Sequence, residues 1–348
     1  MKIALVTPWE VRCGIASYSK NLVNALAELG HEVYVVRLPR FGHKTEETMR
    51  NIVSKIPVDK IDIIHVQHEY GLFQNLDGPF FSLLQTIDKP IITTAHAVGQ
   101  IHLDAFMAEA SDKVIVHNKF CFKRYQFPNG VIIPHGASPL SGPPPPKSQC
   151  KNSLGINPKV PIVGYLGYIS NYKGLEVLIQ AMIDVPKVAL LIGGGWHTEE
   201  ETQYIYKLKS FTLEHLPNRC QWLGFVSNED MSRVYGAMDI LVYPSRFATE
   251  SGALITALSH RKAVLASNLR AFKEKEKIGA LETFKDAKDL TQKIQRLLEN
   301  PEQIKTLERN AQKFAEETSW HNIAQQHIRL YKKTIKDRNK KQTNKWGK

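Results

Sequence analysis

Short runs of β-branched and apolar residues, each followed by a stretch with helical spacing, recur along nearly the whole chain, and this alternation constrains the fold more than any other feature. In the first half the runs are Ile3 to Thr7, Val33 to Leu38, Ile61 to Val66, Pro90 to Ala95, Lys113 to His117 and Val131 to Pro134. They are continuous rather than alternating in and out, which marks parallel strands covered on both faces. Between the first two, Ala16 to Leu29 sets Leu22, Val23, Leu26 and Leu29 on one helical face and meets Gly30, a C-cap residue. Strand, helix and strand in this order predict right-handed crossovers in a parallel sheet.

The pattern is interrupted by Ser141-Gly-Pro-Pro-Pro-Pro146, which can be neither helix nor central strand and reads as a stiff connector. It then restarts, with runs at Ile162 to Gly167, Val188 to Ile192, Cys220 to Phe225, Asp239 to Tyr243 and Ala263 to Ser267. Thr198 with Glu201, and Ser227 with Asp230, have the spacing of capping boxes, the second with Asp in place of the usual Glu. Three helices without intervening strands close the chain, at Leu290 to Glu299, Pro301 to Glu317 and Ser319 to Lys336. With 348 residues, more than one core usually organises, the expectation is two doubly wound domains. Their bounds are 1–146 and 147–318, followed by a terminal helix at 319–338 and a basic tail at 339–348.

Composition narrows the class. A hydrophobic content of 43% and a charged content of 23% suit a globular protein, and no apolar run is long enough to span a bilayer. The apolar start breaks at Pro8 and Glu10 with no cleavage site after it, so it reads as a first strand and the protein as cytoplasmic. Cys13, Cys121, Cys150 and Cys220 lack paired spacing, which predicts neither a disulfide framework nor a zinc site. Residues 331–348 hold eight Lys or Arg against one Asp, more than half of the formal +12. Such a tail reads as a solvated end, or as a candidate for peripheral contact with an anionic membrane. Basic residues gathered in one tail, with no recognition motif, argue against nucleic-acid binding.

Open α/β sheets bind ligands beyond the carboxyl ends of their strands, so the segments that follow the strands carry the functional reading. Gly14 follows the first strand and opens a helix whose free amides suit an anion. Three spaced glycines and a later acidic residue are lacking there, which argues against a nicotinamide or flavin site. Gln67-His68-Glu69 and His96 follow the third and fourth strands, the last a candidate facing the cleft. In the second half, Lys173 beside Gly174 is suited to neutralising a phosphate at a helix start. Glu250 precedes the amides of Ser251, Gly252 and Ala253, an anion cradle at the next helix.

These elements together resemble the retaining glycosyltransferases of family four, whose fold is GT-B: two Rossmann-like doubly wound parallel-sheet domains facing a central cleft. Gly167 through Gly174 is similar to the family's Gly-Arg-x-x-x-x-Lys-Gly motif, and Pro244-Ser245 through Ser267 to its Pro-Ser and Glu-x7-Glu element. Val131-Ile-Ile-Pro-His-Gly136 looks like the signature that ends the first domain, and Ser319-Trp320 like the start of the helix that returns to it. The resemblance implies transfer of a sugar from a UDP- or GDP-linked donor to a saccharide or lipid-linked acceptor, with no obligatory metal. The first domain is then the acceptor side and the second holds the nucleotide sugar. Lys173 contacts the diphosphate, Glu250 orients the donor sugar and His96 lies near its hydroxyls, while Gly14, Tyr168, Val226, Ser251, Gly252, Ala253 and Thr256 line the donor site. Two positions depart from the pattern: Tyr168 stands for the motif's arginine and Thr256 for the second glutamate, and Arg246 is a candidate to restore the missing charge. These departures motivate an alternative, a weak or inactive relative that binds nucleotide sugar or partners an active transferase.

Overall fold

A computed structural model describes residues 1–196 and 198–346. The backbone forms two compact units, Met1–Gly136 with the terminal segment from Thr318, and Ala137–Glu317. Pro143 to Pro146 therefore lies within the second unit.

The first unit is built on a six-stranded sheet of β1 (Lys2–Thr7), β2 (Glu32–Arg37), β3 (Ile63–His68), β4 (Ile91–Ala95), β5 (Lys113–Val116) and β6 (Gly130–Ile132). Its order is β2-β1-β3-β4-β5-β6, and every pairing is parallel. β3 and β4 are buried along their whole length, as their unbroken runs demand, whereas edge strand β2 is half-exposed. One face packs Met49, Phe73, Phe80, Phe81 and Leu84 against the sheet. The other packs Tyr18, Leu22 and Leu26 of the helix Gly14–Glu28 with Trp320, Ile323, Ile328 and Tyr331 of the terminal helix. Gly136 is tied to that packing, since a β-carbon there would come within 2.4 Å of the Trp320 ring.

The second sheet comprises β7 (Ile162–Leu166), β8 (Ala189–Gly193), β9 (Cys220–Gly224), β10 (Ile240–Tyr243), β11 (Ala263–Ser267) and β12 (Glu282–Phe284). Its order is β12-β11-β10-β7-β8-β9, again parallel throughout. β12 was not foreseen, because Glu282-Thr-Phe284 is too short to show a period. Thr198 and Glu201 form the reciprocal capping box, with Glu201 N–H donating to Thr198 Oγ1 at 3.2 Å and Thr198 N–H to Glu201 Oε2 at 3.1 Å. Ser227 caps Asp230 N–H at 3.2 Å and its hydroxyl donates to the Asp230 carboxylate. The last helix runs from Trp320 to Trp346, ten residues past its expected end, since neither glycine nor proline interrupts it. Most of the basic tail's side chains, and residues 347–348, lie outside the described residues. Among the described residues, no helix is long and apolar enough to cross a membrane.

Candidate active site

Strand order reverses between β7 and β10, and in an open α/β sheet that reversal leaves a crevice at the carboxyl edge. The two segments that follow these strands hold the residues singled out from the sequence. After β7, Asn171–Lys173 forms one 3-10 turn and Gly174 adopts a left-handed conformation at φ 65°. Any side chain there would be strained, and a β-carbon would lie 2.4 Å from the Pro244 carbonyl oxygen. Glycine thus lets the Lys173 turn lie directly against the segment after β10. Arg246 N–H donates to the Tyr172 carbonyl at 2.8 Å and closes the contact. Lys173 Nζ lies 4.7 Å from the centroid of the exposed Tyr172 ring, a cation–π arrangement that leaves the ammonium at the surface of the edge.

The helix Gly252–Ser259 starts at the same edge. Ser251 caps it, accepting from Leu254 N–H at 3.3 Å, and a β-carbon on Gly167 would come 3.0 Å from Ala253 Cβ. The Tyr243 hydroxyl donates to the Ala253 carbonyl at 2.9 Å and fixes the helix start to β10. Of the three amides expected to form the cradle, that of Ser251 donates to Glu250 Oε1 at 2.9 Å, so Gly252 and Ala253 carry the exposed end of the helix dipole. Glu250 is drawn inward. Lys275 Nζ reaches both carboxylate oxygens, at 3.0 and 2.7 Å, and each side chain is only 6% exposed. Thr256 donates its hydroxyl to the Gly252 carbonyl at 2.9 Å, one turn back along the helix.

Tyr168 passes its carbonyl to the Tyr165 hydroxyl at 2.6 Å and turns its ring toward Gly195, where the Phe225 ring also arrives. Val226 lies above the end of β8, with Cγ2 3.1 Å from where a β-carbon of Gly193 would stand. Arg246, the candidate for the missing charge, has Nη2 2.5 Å from Glu176 Oε1 and Nη1 3.1 Å from Asn171 Oδ1. Its guanidinium therefore braces the Lys173 turn, with its charge matched by Glu176.

Several residues at this edge escaped the sequence reading. Gly193-Gly194-Gly195 ends β8, and Gly194 at φ 154° has its β-carbon position 1.8 Å from the Gly167 carbonyl oxygen, which no other residue could accept. Three glycines after an apolar run were the available signal. Lys275 had none, since its partner is 25 residues away. The hydroxyl of Ser245, a residue 1% exposed, is buried without a hydrogen-bond partner beside the same segment, an arrangement costly enough to be uncommon.

In the first unit Gly14 begins its helix with Cys13 in the N-cap position, and a β-carbon on Gly14 would meet nothing within 4 Å. His96 follows β4, anchored by its amide to the His68 carbonyl at 2.9 Å. Its ring stands edge-on to Tyr18 at 4.9 Å, and burial, then His117 and His135, hold its pKa well below the ordinary imidazole value. His68 is fully buried, bonded to Asp77 Oδ1 at 2.6 Å and stacked on Phe73 at 4.9 Å, so it belongs to the scaffold. Among the described residues, no group of three His, Cys, Asp or Glu is disposed to hold a metal ion.

Residues 147–314, nearly the whole second unit, match the family described as glycosyl transferases group 1. The second unit is thus similar to a group 1 glycosyl transferase domain. Over the longer span, the chain is 22% identical to an uncharacterized glycosyltransferase of Methanocaldococcus jannaschii, covering 95% of this chain and 98% of that protein. It is 21% identical to the alpha-galactosylglucosyldiacylglycerol synthase of Streptococcus pneumoniae, over 85% of this chain and 83% of the other. Sucrose-phosphate synthase from Thermosynechococcus elongatus superposes with a TM-score of 0.79 at 19% identity, covering 97% of this chain and all of that one. Anabaena HepE in complex with UDP-glucose does so with a TM-score of 0.76 at 18% identity, covering 96% and 100%. The architecture of this chain is therefore GT-B, two parallel α/β sheets each covered by helices.

Proposed function

We propose that the protein is a cytoplasmic retaining glycosyltransferase of family four, moving a sugar from a UDP- or GDP-linked donor to a saccharide or lipid-linked acceptor. The observation that carries the reading is the meeting of the Lys173 turn with the free end of the helix Gly252–Ser259 at the strand-order reversal of a domain similar to group 1. Breaking the sugar–phosphate bond loads negative charge onto the departing diphosphate. Lys173 and the amides of Gly252 and Ala253 are preorganised to receive it, each such donor being worth about 3 kcal/mol at the transition state. In this reading Tyr168, Val226 and Thr256 contact the nucleoside, and the roles of Gly14 in donor binding and of His96 near the sugar hydroxyls follow from the family resemblance. Retention follows if the leaving phosphate helps to deprotonate the acceptor on the face it vacates. The glycolipid synthase among the relatives supports a lipid-linked acceptor.

The direct test is a thermal-shift series with UDP- and GDP-sugars, followed by transfer assays with the best donor and NMR of the product's anomeric proton. Stabilisation by a nucleotide sugar and a product that keeps the donor's configuration are expected. An inverted product would end the retaining assignment. The burial of Glu250 against Lys275, with Tyr168 and Thr256 in place of a charged pair, favours a second reading, a binding protein of low activity. Stabilisation by donor with no transfer to any acceptor would select it.

A further inference from the structure

The short helix Lys273–Lys277, between β11 and β12, reads Lys-Glu-Lys-Glu-Lys, a composition suited to a solvated face. Its outer members behave accordingly. Lys277 is exposed, and Lys273 Nζ pairs with Glu276 Oε2 at 2.6 Å with both side chains partly open to solvent. Lys275 does the opposite. It turns inward, its Nζ 5.7 Å from the centroid of the Phe314 ring and 3.0 and 2.7 Å from the two carboxylate oxygens of Glu250, with both charged side chains only 6% exposed.

Removing two charges from water is costly, and a well-packed neutral pair of similar volume is often as stable or more so, so stability does not account for this ion pair. Its position does. Glu250 precedes Ser251, the N-cap of the helix Gly252–Ser259, and its Oε1 also accepts the Ser251 amide at 2.9 Å. A carboxylate there shares the positive helix end that Gly252 and Ala253 present, and without a counter-charge it would repel a second anion from that end. Lys275, bonded to both oxygens, cancels the charge and holds the carboxylate toward its own helix. All of these residues belong to the second unit.

We propose that Lys275 is a positioning residue for the donor: by neutralising and retracting Glu250 it keeps the amides of Gly252 and Ala253 receptive to the diphosphate of a nucleotide sugar. The inference rests on reading those amides as the diphosphate site. Donor binding then follows the summed charge of positions 250 and 275. The sum is zero for the native pair and for a neutral pair, and it is negative when the lysine alone is lost.

Isothermal titration calorimetry of the full chain with UDP and with GDP reads this apart from catalysis, because neither nucleotide carries a sugar for Glu250 to touch. The wild type is expected to bind at least one of them. Lys275→Met, which keeps the volume of the stem, is expected to weaken that affinity by about tenfold or more. On a Glu250→Gln background the same change is expected to alter the affinity by less than about threefold. If Lys275→Met alone does not fold, the chain carrying both substitutions carries the test, with an affinity expected within about threefold of the wild type. Equal losses from Lys275→Met on the two backgrounds, native affinity in Lys275→Met, or a tenfold loss in the double variant overturns the role of Lys275 alone. A folded wild type that binds neither nucleotide overturns instead the donor reading on which it rests.

Discussion

Lys173 and Gly174 divide one task between them, the glycine bringing the turn against the Pro244 carbonyl and the lysine supplying charge at the edge so formed. On the proposed reading, replacing Lys173 by alanine removes a full charge from the leaving group's surroundings. Transfer is expected to fall by at least tenfold in kcat, measured with the donor at saturation, while the melting temperature stays within a few degrees. At the opposite extreme of exposure, His327 is wholly buried, donates from Nδ1 to the Ile323 carbonyl at 2.9 Å, and leaves Nε2 without a partner. Burial lowers its pKa from 6.5 to about 4. The unfolded chain therefore takes up the proton first as pH falls, and stability present above pH 6.5 is lost on the way down to about 4. The loss from this residue amounts to roughly 3 kcal/mol at the acid end. His65 and His96, lowered in the same direction, add to the slope. Urea unfolding at pH 7, 6 and 5 measures it, and His327→Leu is expected to flatten the decline.

At the scale of elements, the turn after β7 and the helix after β10 form one unit of structure, joined by the Arg246 amide, the Arg246–Glu176 pair and the Tyr243 hydroxyl. Gly174→Ala tests that joint. The left-handed backbone costs an alanine about 1 kcal/mol, and the overlap with the Pro244 oxygen forces the two segments apart. A stability loss of about 2 kcal/mol is expected together with weaker donor binding by calorimetry. Equal donor affinity would mean that the turn and the diphosphate do not meet. Both segments were legible from the sequence because a lysine–glycine pair and a Glu-Ser-Gly-Ala run at the start of a helix are local signals. β12 was not, because a three-residue strand acquires its identity only by pairing with β11.

For the whole molecule, two sheets of the same parallel design carry different chemistry at their carboxyl edges: polar and histidine-rich in the first unit, glycine-rich and anion-suited in the second. The terminal helix adds a basic face to the first unit, where Lys332, Lys336 and Lys340 border a hollow of about 570 Å³ beside the N-terminus. A lipid-linked acceptor would bring such a face near anionic headgroups, to which each lysine contributes about 1 kcal/mol. Deleting residues 339–348 is expected to weaken sedimentation with phosphatidylserine vesicles severalfold, in a salt-dependent way, and to leave the circular dichroism of the remainder intact. Equal sedimentation of the shortened chain would remove the tail from membrane contact. By itself the sequence determined the α/β alternation, the parallel sheets and the strand ends to inspect, since each is written in periodicities and turn residues a few positions apart. Only the tertiary structure decided that Glu250 faces Lys275, that Arg246 is matched by Glu176, and that the Tyr331 hydroxyl meets the buried His65 ring. Those partners are far apart in the chain, and packing, which no local pattern encodes, chooses which buried polar groups meet.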